Sequence, residues 1–474
     1  MKDNRTSVKR SLLVSAIALT LTAALLIGST FAWFTSTAST GVSKVEAGKL
    51  KVTLLNGDKE LSSTDVLTWQ KAEGQTGTAL WEPGCTYNLE PITIKNTGSL
   101  ALKYKIVITG IKGDADLNKV IDWNVNDTAL DADHSLAVGE SKDLTISGHM
   151  QENADDNYQG KTIDGISITV VATQDTVEYD SNGNQYDKDA EYPISVTTGD
   201  ELQAIVSDAT APVNIVLAND ITTNNFVIPA DKDVTLDLNG RTVKNDESHT
   251  ILNKGHLTLT DSSADKSGQI ISCKADTAAL RNGDNAVCVV ESGTISRDEA
   301  NGNTWHTVEN FGTMTFNGGK VIADDGKSFA IVNGWNYINP GEQKATMTIN
   351  NIEMIAGPNG FKNCAGGTLT MNDGTLHCTG YWGLSNDSTG VATINGGKII
   401  SDKYIAISDG GAKMEINGGT FTGPQGSLYV QDYAQDTVVK GGSYQNETVD
   451  FMQRCCPKGY TAKLQGGMVV VSKD

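Results

Sequence analysis

The chain has 474 residues, 57 Asp and Glu against 37 Lys and Arg, a formal net charge of −20, and 49 glycines against nine prolines. That length allows two or three domains with sizeable cores, and the acidity excludes nucleic acid and anionic membrane surfaces as primary partners. Abundant glycine with scarce proline suits β-structure with tight turns better than a disordered tail.

Lys2, Arg5, Lys9 and Arg10 precede an apolar run from Leu12 to Ile27, the pattern of an export signal over residues 1–33. Leu12 to Phe34 is also long enough to span a bilayer. The expected contact with a membrane is therefore through this segment alone, if it stays uncleaved. Removing it takes away four positive charges and one negative, so −20 becomes about −23 on the mature chain. The sequence GSTFAWFTSTAS after the apolar run resembles the signal of the TasA/camelysin family, which a SipW-type signal peptidase processes. The resemblance implies cleavage near Ala32 or Trp33, with Ala38 as the alternative, and export from a Gram-positive-type cell.

Residues 34–176 read as an antiparallel β-sandwich. Segments 50–55, 87–94, 103–109, 142–148 and 165–172 alternate apolar and polar residues, which gives each strand one apolar face. Leu50, Val52 and Leu54, then Tyr104, Ile106 and Ile108, then Ile166, Ile168 and Val170 are the expected core. The stretch LWEPGCTYNLEPITIKNTGSLALKYKI (80–106) is similar to the core of the TasA/camelysin family. That similarity implies a secreted matrix or surface protein, with Phe34 to Val45 as the strand that would be lent to a neighbouring subunit.

Residues 177–193 form a polar linker. Asp180, Asn182, Asn184 and Glu191 fall at positions 1, 3, 5 and 12 of an EF-hand-like loop, but Gln185 stands where that loop needs glycine. A hydrated linker without bound metal is the reading, and no cofactor is expected.

The remaining chain, 194–474, is organised by a repeat. Copies of VATINGGKIIS (391–401) recur, and the residue at the Asn395 position falls at 239, 261, 291, 317, 350, 372, 395, 417 and 440. The recurring gap of 22–23 residues, with longer gaps where segments are inserted, is a solenoid period. Each copy alternates over five or six residues and then breaks at Asn-Gly or Gly-Gly, a strand running into a turn that needs positive φ. A second column keeps the same beat: Asn253, Asn282, Asn310, Asn333, Asn363, Asn386, Asp409 and Asp432, each two residues after an apolar position running from Ile251 to Ile407 and Val430. The expected fold is all-β, a right-handed parallel β-helix of about nine coils, roughly 40–45 Å long. Asn317, Asn350, Asn372, Asn395 and Asn417 should form one structural ladder, and Asn310, Asn333, Asn363 and Asn386 another. Ser408, one residue beyond inward Ile407, is expected to face solvent. Residues 194–474 resemble the pectate-lyase-like β-helix superfamily, with TTGDELQAIVSDA as a capping helix that turns Leu202, Ile205 and Val206 inward.

Chemistry-bearing motifs are sparse. No HExxH, CxxC or zinc-spaced Cys/His cluster occurs. The seven cysteines leave at least one unpaired, and Cys364 with Cys378, or Cys273 with Cys288, could bridge only if their Cβ atoms come within about 4.5 Å. Asp324 and Asp325 are the candidate catalytic acids, as neighbouring carboxylates in a turn. Trp305, Tyr381 and Tyr404 share one outward phase, and Trp335, Tyr337 and Trp382 lie in or beside insertions. Exposed rings on a rod offer platforms to sugars, although rings packed beneath insertions would look the same in sequence. The reading is a non-enzymatic, secreted surface or biofilm-matrix protein whose β-helix presents a face to an extracellular glycan or to neighbouring subunits. The alternative is a β-helix polysaccharide lyase or glycoside hydrolase with an unrecognised site.

Overall fold

The computed structural model describes residues 50–61, 65, 67–71, 73, 78–109, 112–126, 128–130, 132–164, 167–175, 192–298, 305–323, 329–334 and 344–474. Residues 1–33, expected to be an export signal, Phe34 to Val45, Ile166, Asp180, Asn182, Asn184, Glu191, Asp324, Asp325, Trp335 and Tyr337 lie outside these residues.

The described N-terminal part is built of antiparallel ladders. Val52–Asn56 pairs with Ile92–Asn96, which pairs in turn with Ser141–Leu144. Leu102–Thr109 pairs with Ser167–Gln174 along its whole length. Ile146–Met150 lies between Thr86–Asn88 and Ile121–Val125. Alternation puts Ile92, Ile94, Leu102, Tyr104 and Ile106 into one core, against which Val52, Leu54, Ile168 and Val170 pack. Beside it, Trp81 lies over Gly148, where a Cβ would come within 2.7 Å of the indole.

Residues 194–444 form a parallel β-solenoid of about ten turns. Among the described residues its three faces hold eleven, ten and nine parallel strands. The first face runs from Ile194–Val196 to Thr437–Val439, the second from Ile221–Thr223 to Gly442–Gln445, and the third from Val227–Ile228 to Leu428–Val430. Register partners such as Leu257, Cys288, Met314, Met347 and Leu369 stack inward as one column, almost fully buried. Each such side chain contributes about 1.5–3 kcal/mol by leaving water. The Gly-Gly turns are obligatory where coils meet. Gly397 sits at φ +86°, and a Cβ there would lie 2.6 Å from Met371 Cε and 2.7 Å from the Gly374 carbonyl.

The solenoid has one turn more than the Asn-Gly motif counts. Its first coil, Val213–Leu217 to Val227–Ile228, carries Asn219-Asp220 in place of that motif. The last coil is also shifted, because Ile407 pairs with Leu428 and Asp409 with Val430. Leu428, not Val430, is therefore the inward residue, and Asp432 falls outside the column.

Both ends are closed. The helix Gly199–Asp208 begins on Thr198, whose hydroxyl accepts from Glu201 N at 3.2 Å, while Glu201 Oε2 accepts from Thr197 N at 2.8 Å. It buries Leu202 and Val206 over the first coil, with Ile205 partly covered. At the other end the helix Val449–Cys455 buries Met452, and the hairpin Tyr460–Gln465 with Met468–Lys473 continues the second face in antiparallel sense. These caps cover strand edges and core that would otherwise face water or a second chain. All seven cysteines are free thiols.

Candidate functional site

The two asparagine columns are ladders of opposite direction. On the inside, Asn253 Nδ2 donates to Asn282 Oδ1, and the chain passes through Asn310, Asn333, Asn363 and Asn386 with each bond at 2.8 Å. It ends on Asp409 Oδ1 at 2.9 Å. On the outside, Asn417 donates to Asn395, Asn395 to Asn372, Asn372 to Asn350 and Asn350 to Asn317. This second ladder ends on Glu291 Oε1 at 2.8 Å. Each chain of amides thus terminates on a carboxylate that only accepts. The inner asparagines are fully buried and the outer five are exposed.

The aromatic residues separate into two groups. Where the second face bends into the third, Ser401 is buried and its hydroxyl donates to the Tyr381 carbonyl, while Tyr404 N donates to the same Oγ at 3.0 Å. One inward serine therefore ties two successive turns. The rings of Tyr381 and Tyr404 stack with centroids 4.3 Å apart and planes 6° from parallel. Trp382 meets Tyr381 edge-on at 4.1 Å and Tyr404 at 5.9 Å. Tyr381 is 39 % exposed, the other two rings are half-buried, and the buried Trp382 Nε1 has no hydrogen-bond partner. The Tyr404 hydroxyl, bonded to that of Tyr381, pushes the Tyr381 phenol above its usual ionisation range. Each tyrosine covers one face of the other, so edges, hydroxyls and the outer faces remain for a ligand. On the same pair of coils His377 Nε2 and Asp402 Oδ1 are 2.9 Å apart and partly exposed. Sequence reasoning missed this pair, whose only signal is a separation of one coil plus two residues.

Trp305 keeps the same phase but stands three coils away along the third face. Its indole N–H donates to Glu309 Oε1 at 2.8 Å, and Arg281 Nη1 bonds Glu309 Oε2 at 3.0 Å. Glu309 is 2 % exposed, and burial pushes its carboxyl above the usual range, against the pull of Arg281. His249, 3.5 Å from Arg281 Nη1, is held down to about 4 by burial and then by that cation. Beside Trp305, with centroids 5.0 Å apart, burial depresses His306 to about 3, helped by Arg297 and Lys362. This buried polar network was not legible as such, since its members are scattered over sixty residues of chain.

A groove of about 1260 Å³ runs across the first coils of the second face, lined among others by Asp220, Lys244, Asp246, Gln269, Lys274 and Asp298. Burial raises the Cys273 thiol at its floor, and Asp246 and Asp298 add to the shift. Among the described residues no three His, Cys, Asp or Glu side chains are placed to hold a metal ion.

These features define a capped parallel β-solenoid with an aromatic corner. No family model, curated protein or solved structure matches the chain.

Proposed function

We propose that this chain is an exported, non-enzymatic surface or matrix protein. Its C-terminal rod, a right-handed β-helix, presents the Tyr381–Tyr404 corner to an extracellular glycan or to a partner subunit, and its N-terminal sheets form a sandwich of TasA/camelysin type. The observation that carries the reading is the parallel Tyr381–Tyr404 stack, partly exposed on a rigid coil. Rings already fixed by one another, by Trp382 and by Ser401 lose little freedom when a sugar settles on them, and their hydroxyls orient it. The basic and apolar segment before residue 34 and the acidity of the chain support export.

A second reading, a polysaccharide lyase or hydrolase, draws on the groove that holds Asp220, Asp246 and Asp298 together with Lys244 and Lys274. Incubating the purified protein with neutral and acidic glycans separates the two. The binder retains intact glycan and releases no products. Shortened or unsaturated products, lost in Asp246→Asn or Asp298→Asn, would establish the enzyme instead.

A further inference from the structure

One face of the rod carries a grid that the aromatic corner does not use. Thr313, Thr346 and Thr368 are register partners and are exposed. Two residues further along the same strands, Thr315, Thr348 and Thr370 form a second column, which Thr393 extends by one coil. The outer asparagine ladder is the third column, again two residues on.

The hydroxyls of these threonines make no hydrogen bond within the described chain, whereas that of Thr260, two coils earlier on the same face, is bonded to Ser292. The grid therefore offers unspent donors and acceptors interleaved with methyl groups. It is also uncharged, in a protein of net charge −20, with Glu291 at one end and Lys413 and Glu415 at the other.

Its spacings are set by the backbone. Parallel strands in register repeat at about 4.8 Å, and alternate residues along a strand at about 6.6–6.8 Å. β-Branching restricts the χ1 freedom of the threonines, and the hydrogen bonds of the ladder fix the asparagines. A rigid, neutral, two-dimensional lattice of hydroxyls and methyls is complementary to another rigid lattice and has little to give a flexible polymer.

We propose that this grid binds an ordered lattice of water, the surface of an ice crystal. The two repeats lie close to those of oxygen positions on the prism face of ice, so threonine hydroxyls stand near lattice sites and methyls fit between them. A second copy of the chain is the poorer occupant: the grid covers roughly 300 Å², against about 800 Å² per partner in stable protein interfaces. A crystal face needs less, because it grows around an adsorbed molecule and traps it.

The test is adsorption of the purified full chain to a growing single ice crystal, with inhibition of ice recrystallisation as the quantitative readout. Wild type should coat the crystal and halt recrystallisation. Thr348→Lys and Thr370→Lys, which place an ammonium in the centre of the grid, should each weaken the effect by about tenfold or more with circular dichroism and melting temperature unchanged. Thr375→Lys, on the outside of the second face between Glu353 and Lys398, should leave it intact. Absence of wild-type adsorption overturns the proposal, whatever the variants do. Equal loss in Thr375→Lys, or retention on crystalline cellulose but not on ice, overturns it as well.

Discussion

Asn386 Nδ2 donates to Asp409 Oδ1 across 2.9 Å, and with that bond a file of six buried asparagines ends on a carboxylate. Asp409 also accepts from Gly411 N at 3.1 Å through Oδ1 and from the Thr437 hydroxyl at 2.6 Å through Oδ2. A terminal asparagine would have to present its NH₂ at one of those oxygens and lose an acceptor. The carboxylate closes the ladder because every neighbour there is a donor.

Asp409→Ala should therefore cost more than its size suggests. It strips acceptors from Gly411 N and the Thr437 hydroxyl and one of two from Asn386, whose remaining acceptor is the Lys413 carbonyl at 3.1 Å. Each buried group left unmet costs about 1–3 kcal/mol, so urea unfolding should show a loss of several kcal/mol. Asn395→Ala, on the exposed ladder, should cost under about 1 kcal/mol, since water replaces the amide. Equal losses would contradict the distinction between the two ladders.

The rod should weaken in mild acid. His249 and His306 are depressed in the folded chain to about 4 and about 3 from the ordinary histidine value of 6.5. Between these values and 6.5 the unfolded chain binds more protons than the folded one. Their stabilising contribution is complete above about pH 6.5 and is lost as pH falls toward 4 and then 3. Glu309, raised by burial, works in the opposite direction as it takes up its proton. Melting temperature measured from pH 7.5 to 4 should fall, and His306→Gln should flatten that slope. An unchanged slope in the variant would show that His306 is not buried as a neutral ring.

Gly148→Ala should destabilise the N-terminal sheets by about 1–3 kcal/mol, because the new Cβ meets Trp81 Cη2 at 2.7 Å and Ile121 Cγ2 at 3.3 Å. Trp69, Trp81 and Trp123 lie within 5.2–6.5 Å of one another, so their fluorescence should shift along with the loss. A silent substitution would mean that Trp81 does not rest on this strand.

The period and the inward column were readable because a solenoid repeats one solution: Ile251, Leu280, Val308, Ile331, Phe361, Leu384 and Ile407 all lie fully buried in the core. Reading failed where the chain leaves that solution. The final coil is two residues shorter between inward positions, so Leu428 takes the place that spacing assigned to Val430. Ser408 does point out of the coil, yet it is only 2 % exposed because Gln431, whose Nε2 bonds its hydroxyl at 3.1 Å, covers it. Ser408→Asp should consequently destabilise the coil rather than pass as a surface change. The aromatic phase of Trp305, Tyr381 and Tyr404 was legible, but phase carries no information on neighbours along the axis. Only three-dimensional placement separates the Tyr381–Tyr404 stack from Trp305, which Glu309 holds. The pairing of Arg281 with Glu309 needed the coil register itself, which sets them side by side on adjacent strands.

The most direct test of the proposed function is the affinity of the purified protein for glycans, compared between wild type and Tyr381→Ala. Tyr381 is the most exposed ring of the corner, and its removal leaves the inward column untouched. Wild type should retain a glycan on an array, and Tyr381→Ala should lose about tenfold or more in affinity at an unchanged melting temperature. Full glycan affinity in Tyr381→Ala, or no glycan retained by wild type, would contradict the assignment of this corner as a sugar-binding face.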